Sequence, residues 1–228
     1  MSAVELYQAE SEGQMALGLK FNRTDISLAE LLQVWQPLCD DEAIHKMYGL
    51  NNHAPCRGCL HNCCNTPYVI PDLISFKKTA RYYHLDYPVF IANFFQPAKV
   101  AAGILKIQSD PCVFLQDNIC AIYPIRSLIC RFYLCSFLLG DTEQLVYSLA
   151  WTGSAATQVF AEKNGFSNES AGQGVTGFDL LFRRLISDYR YEPVLDLFLQ
   201  ADSYDDIPLE PFLKLVPSFT ANNPAKRL

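Results

Sequence analysis

No stretch of this 228-residue chain approaches the roughly 18 consecutive apolar residues that a membrane span requires. The longest apolar-leaning run, 119–139, is broken by Pro124, Arg126 and Arg131. The opening residues, Met1-Ser-Ala-Val-Glu-Leu6, lack the basic region and continuous apolar region of a signal peptide. There is no long run of Lys and Arg, and 18 basic against 24 acidic residues give a formal charge of −6. That balance argues against nucleic acid as a partner. No internal repeat, low-complexity segment, nucleophile–base pair, paired-carboxylate site or phosphate loop stands out. Gly172-Gln-Gly174 lies in a polar stretch and reads as a flexible connection, and Asp40-Asp41 and Asp205-Asp206 read as caps or solvated turns. These absences lead to the expectation of a cytoplasmic protein with neither membrane nor nucleic acid as partner, leaving room for a protein partner of unspecified kind.

What the chain does have is cysteine. Eight of its nine lie between Cys56 and Cys135, and Cys56, Cys59, Cys63 and Cys64 fall within nine residues. Cys112, Cys120, Cys130 and Cys135 follow after a gap of 47. A reducing cytosol would not sustain a disulfide framework, and an odd count fits one poorly. Thiolates are instead the soft ligands of zinc, iron and iron–sulfur clusters. A C-x-x-C loop can direct two sulfurs to one ion, whereas the adjacent pair Cys63-Cys64, in extended backbone, would point to opposite sides. The pair would then serve two neighbouring centres, or one centre and another role. Eight thiols divide into two four-ligand sites or into one site with four spectators, and spacing alone does not partition them. Arg57, Arg126 and Arg131 lie within a few residues of candidate ligands, where their charge would offset thiolates. His53 and His61 flank the first cluster and read as exposed loop residues. Cys39, alone at the end of an apolar helical pattern, reads as a small core hydrophobe and is left outside the site.

The pattern around these cysteines is mostly α, an α+β class in which a helical domain carries a small antiparallel β-hairpin and a cysteine-rich metal-binding loop. The first twenty residues read as a flexible lead-in. Ser27-Leu-Ala-Glu30 has a capping-box arrangement, with Leu28, Leu31, Leu32 and Trp35 at helical spacing behind it. Further helices are expected over 41–48, from Asp72 to about His84, from Tyr87 to Phe95, and from Pro124 to about Tyr133. A strand is expected over 104–107, and a hairpin pairs 112–115 with 119–122. After Cys135, 143–151 is ambiguous between strand and helix, while 154–163, 178–191, 193–200 and 209–215 read as helices. A polar loop covers 164–177, and the tail from Pro217 reads as loose. The division expected is a helical segment 1–50, a cysteine-cluster domain 51–140, and a helical region 141–228 packed on it.

Taken together, Cys56 to Cys64, Ile70-Pro-Asp72, Pro111-Cys-Val-Phe-Leu115, Cys120-Ala-Ile-Tyr123 and Arg126-Ser-Leu-Ile-Cys-Arg131 resemble the YkgJ-type cysteine-cluster family, a zinc- or iron-chelating group. Two departures stand out. Three residues rather than two precede the adjacent pair, as in the related flagellin lysine N-methylases, and Arg126-Ser127 stands where the family has Arg-Pro. The resemblance implies metal binding, with iron or an iron–sulfur cluster slightly preferred and zinc as the alternative. Three functions stay open: a metal or cluster protein with a handling, redox or sensing role; a lysine N-methylase-like enzyme; and a structural zinc site in a helical interaction domain.

Overall fold

The computed structural model describes residues 2–48, 56, 57, 59, 63–65, 67–167, 175–216 and 219. The architecture is mostly helical with small antiparallel sheets. The first difference from expectation lies at the start. Residues 4–21 are not a lead-in but a hairpin of β1 (Val4–Ser11) and β2 (Gln14–Phe21), paired in register from Val4↔Phe21 to Ser11↔Gln14. Glu12 and Gly13 turn the chain, both at positive φ (53° and 77°), as the tight two-residue hairpin loop requires. The backbone of β2 is held by the segment ahead of the long helix described below: Leu17 N–H donates to Phe137 O (2.9 Å), and Leu139 N–H to Leu17 O (2.9 Å).

Helix α1 (Leu28–Trp35) starts at the expected Ser27–Glu30 capping box and buries Leu28, Leu31, Leu32 and Trp35. A 3₁₀ turn at 36–40 follows, with Pro37 in its first turn. Then come α2 (Glu42–Tyr48), α3 (Leu73–Tyr82), α4 (Tyr87–Phe94) and α5 (Pro97–Ala101). The expected strand at 104–107 is absent. Only Ile107 forms an isolated bridge, to Phe95, closed by Gln96 N–H to Lys106 O and Gln108 N–H to Phe94 O. The expected cysteine-bearing hairpin is present as β3 (Leu115–Gln116) and β4 (Ile119–Cys120). Instead of one helix from Pro124, a 3₁₀ turn at 123–125 leads to α6 (Leu128–Phe132).

The ambiguous region 143–151 belongs to one 24-residue helix, α7 (Gly140–Lys163). It is buried nearly all round, which removes the one-sided stripe that identifies a surface helix. Its small residues let neighbours approach. A Cβ at Gly153 would stand 2.6 Å from the Asp72 Cβ and 3.1 Å from a Phe198 ring carbon. Ser154 and Thr157 hydroxyls donate to the carbonyls of Ile70 (2.8 Å) and Pro71 (2.7 Å), fixing the chain as it enters α3. Helix α8 (Gly177–Arg190) is capped by Thr176 and packs on α7, followed by α9 (Leu195–Gln200) and α10 (Glu210–Leu213). Leu28 N–H donates to Ile207 O and Leu209 N–H to Ile26 O, so residues 207–209 run beside the start of α1. The expected loop at 164–177 and the tail from Pro217 lie largely outside the described residues. Among the described residues no helix is long and apolar enough to cross a membrane.

Candidate metal centre

Four stretches of chain bring the cysteines to one place, and Asp72 organises the meeting. Its carboxylate is fully buried and accepts from Ser75 N–H at the start of α3 (3.0 Å). It also accepts from Leu128 N–H at the start of α6 (2.8 Å), from the Ser127 hydroxyl (3.3 Å) and from the Tyr204 hydroxyl (3.0 Å). One carboxylate thus caps two helices, and α6 carries Cys130. The first cysteine box is pinned at both ends by backbone bonds: Cys56 N–H donates to Cys39 O (2.8 Å), and Cys112 N–H to Cys64 O (2.8 Å). Cys120 ends β4, and Ala121 N–H donates to Phe114 O (2.8 Å), which continues the hairpin past Cys120.

The result is a cavity of about 340 Å³ lined by Cys56, Cys59, Cys63, Cys64, Cys112, Cys120, Cys130 and Cys135. That is the volume of roughly ten waters, more than a single ion needs. Apolar side chains, among them Val69, Ile107, Phe114, Ile122 and Ile129, form much of the remaining wall. All nine cysteines of the chain are free thiols.

The thiols fall into overlapping electrostatic neighbourhoods. Cys130 feels the charge of Cys112, Cys64 and Cys120, Cys112 feels Cys64 and Cys120, and Cys120 feels Cys64. Cys135 feels Cys56 and Cys59, and Cys63 feels Cys56 as well as Cys64 and Cys130. The adjacent pair therefore stands at the boundary between two neighbourhoods. Mutual crowding and loss of water govern the protonation of these thiols. Burial, then the neighbouring thiols, pushes Cys130 well up; burial brings Cys112 and Cys135 to about 11. The hydrogen bond shared with Cys64 raises Cys63 strongly, while the same bond lowers Cys64 to about 7 against burial, with help from the Arg126 charge. Cys64 is therefore the expected first site of iodoacetamide labelling near pH 7 in metal-free protein. Peptide mass mapping checks this, and earlier labelling of Cys130 would contradict it.

Of the three arginines, the structure places one in the cavity wall. Arg126 is buried, its guanidinium centre lies 3.6 Å from the centre of the Tyr123 ring, and its Nη1 donates to Tyr123 O (3.1 Å). Its Nη2 is buried and has no hydrogen-bond partner among the described residues. Tyr123 is held in turn by its hydroxyl donating to Asp40 (2.6 Å). Arg131 is absent from the lining; it latches its own turn through the carbonyls of Arg126 and Pro124. Arg57 is exposed, with its guanidinium 5.7 Å from the Tyr123 ring centre. His53 and His61 lie outside the described residues.

One thiol set aside on sequence grounds is at the edge of this arrangement. Cys39 is fully buried in the core, as expected, yet it shares a side-chain hydrogen bond with Cys56 and donates to Arg131 O (3.3 Å). That bond, then burial, pushes the Cys56 thiol far up, and the same bond lowers Cys39. Nothing in the spacing of Cys39 pointed there, because 39 and 56 meet through tertiary contact alone.

The donor set fits a thiophilic metal. The eight line one cavity, are all reduced, and have the buried guanidinium of Arg126 beside them with one donor unmatched. Among the described residues no three His, Cys, Asp or Glu side chains already converge on a single point, so loading would draw the sulfurs inward. Residues 55–153 match the family model CxxCxxCC, described as "Putative zinc- or iron-chelating domain". The segment carries a CxxCxxCC domain. Neither curated proteins nor solved structures yield a match to the chain. The CxxCxxCC domain takes in all eight cavity cysteines and ends at Gly153, where α7 passes Asp72. Cys39 lies outside it. The family's description gives this domain zinc or iron chelation as its role.

Proposed function

We propose that this protein holds iron, in an iron–sulfur cluster or as ions, through the thiolates of two sets of cysteines. Cys64, Cys112, Cys120 and Cys130 make one set, and Cys56, Cys59, Cys63 and Cys135 the other. The observation that supports this reading above the rest is the shared cavity, to which residues as distant as Cys56 and Cys135 contribute sulfur. Bound metal would supply the positive charge that lets buried, crowded thiols ionise. The chain's own part is to hold the sulfurs, keep water out with apolar walls, and set Arg126 against the accumulated thiolate charge. Asp72 fixes the helix that carries Cys130, and Tyr123 fixes Arg126.

Iron is preferred over zinc because four sulfurs crowd into one short loop with a buried cation beside the site. The role that follows is metal handling, electron transfer or sensing in the cytoplasm. Zinc as a structural staple is the second reading. It is favoured by Cys56-Arg-Gly-Cys59, since C-x-x-C is the usual half of a four-cysteine zinc site. Protein purified without oxygen decides between them. Iron, acid-labile sulfide and absorption near roughly 400 nm are the expected result, whereas colourless protein with stoichiometric zinc would establish the staple. Protein with neither metal at any preparation would remove the proposal altogether.

A further inference from the structure

Between α7 and α8 lies a second cavity, of about 380 Å³, which the metal reading does not use. Two arginines of α8, Arg183 and Arg190, line it together with Gln158 and Glu162 of α7 and with Ser167. The arginines are seven residues apart, two helical turns, so they share a face of α8. Arg190 spends one nitrogen on Glu162, with Nη2 to Oε1 at 2.6 Å. Among the described residues its Nε is buried without a partner, and so is Nη2 of Arg183. The neighbouring amide is already committed. Gln158 donates to the Ser167 hydroxyl (3.2 Å) and to Glu162 (3.4 Å) while accepting from Leu105 N–H (3.4 Å). Ser167 is buried and accepts in that contact, which leaves its own proton to give.

Two guanidinium charges against one carboxylate leave this cleft with net positive charge, in a chain whose total is −6. Unmatched charged donors in a cavity are costly unless something accepts from them. The planar fork of a guanidinium matches the oxygens of a carboxylate or a phosphate, and a neutral ligand would leave the excess charge uncompensated. We infer that the cleft between α7 and α8 binds a small molecule bearing an oxyanion, with Arg183 and Arg190 as its charged contacts and Ser167 as a hydroxyl donor. Glu162 orients Arg190 and sets a limit, because it repels a ligand with a second anionic group on its side. The site is separate from the thiols and does not depend on which metal they hold.

The test uses full-length protein as purified, titrated calorimetrically with inorganic phosphate and, separately, with acetate, each against chloride at equal ionic strength. Saturable binding of one of them, at an affinity on the order of 1 mM or tighter, is expected. Phosphate alone would assign a phosphoryl ligand, and acetate alone a carboxylate ligand. Arg183→Gln should weaken that binding by about tenfold or more while leaving metal per chain unchanged. Ser167→Ala is a second, milder variant that leaves the Arg190–Glu162 pair in place, and it should weaken binding in the same direction. No saturable heat with either anion, or equal affinity in Arg183→Gln, would show a merely solvated cleft and overturn the inference.

Discussion

Replacing Cys130 with serine is expected to remove about half of the metal or cluster content rather than all of it, and replacing Cys135 to remove the other half, as two independent four-sulfur sites would require. The expectation rests on the grouping of charges around the cavity. Cys130 is within electrostatic reach of Cys64, Cys112 and Cys120, whereas Cys135 interacts with Cys56 and Cys59. Cys63 and Cys64, consecutive in the chain and joined by a hydrogen bond, are assigned to opposite sets in this proposal, with Cys63 feeling both Cys130 and Cys56. Metal per chain by mass spectrometry, with sulfide, on proteins prepared without oxygen is the measurement. Complete loss in either variant would mean one shared centre, and an unchanged count in both would mean that these sulfurs are spectators. Cys39→Ser is an informative companion. Because Cys39 touches Cys56, it should leave the metal count intact but speed metal loss to a chelator from the Cys135 set alone.

The second large effect is expected at Asp72. Asp72→Ala should destabilise the protein by about 3–5 kcal/mol in urea unfolding, the range for removing one partner of a buried charged network. Four donors lose their acceptor at once: the N–H groups of Ser75 and Leu128, and the hydroxyls of Ser127 and Tyr204. The Tyr204 hydroxyl shows how tightly the network is held; burial first, and then the Asp72 charge, keep it protonated far above its ordinary range. Asp205→Ala, at an exposed carboxylate, should change stability by only about 0.5 kcal/mol. A comparable loss in both variants would mean that Asp72 has no special part. Asp72→Ala should also loosen metal at Cys130 more than at Cys135, since α6 starts on that carboxylate.

Much of this was readable from the chain. The capping box at Ser27, the Asp72 start of α3 and the hairpin at Cys120 are local signals, and local physics produced what they announced. The N-terminal hairpin was also legible, in Met15, Leu17, Leu19 and Phe21 alternating with smaller or polar residues after Glu12-Gly13. Its partner β1 lacks an equally clean alternation, so only half of the hairpin carries the signal. Helix α7 defeated periodicity for the opposite reason, being enclosed on nearly every side. At the site, the eight cysteines stood out by density alone, whereas the place of Cys39, the choice of Arg126 over Arg131, and the Arg183–Arg190 cleft depend on residues far apart in sequence. Spacing carries no information about such meetings.

The position of the cavity's last wall has a consequence for biogenesis. Its walls run from Cys56 to Cys135, and the segment just beyond, 137–139, bonds back to β2 before α7 begins. A nascent chain emerging from the ribosome therefore presents its first four sulfurs long before the others exist. Such long-range closure is slow to assemble. Metal delivered too early would meet a half-built nest, so insertion belongs after Cys135 has joined the earlier sulfurs.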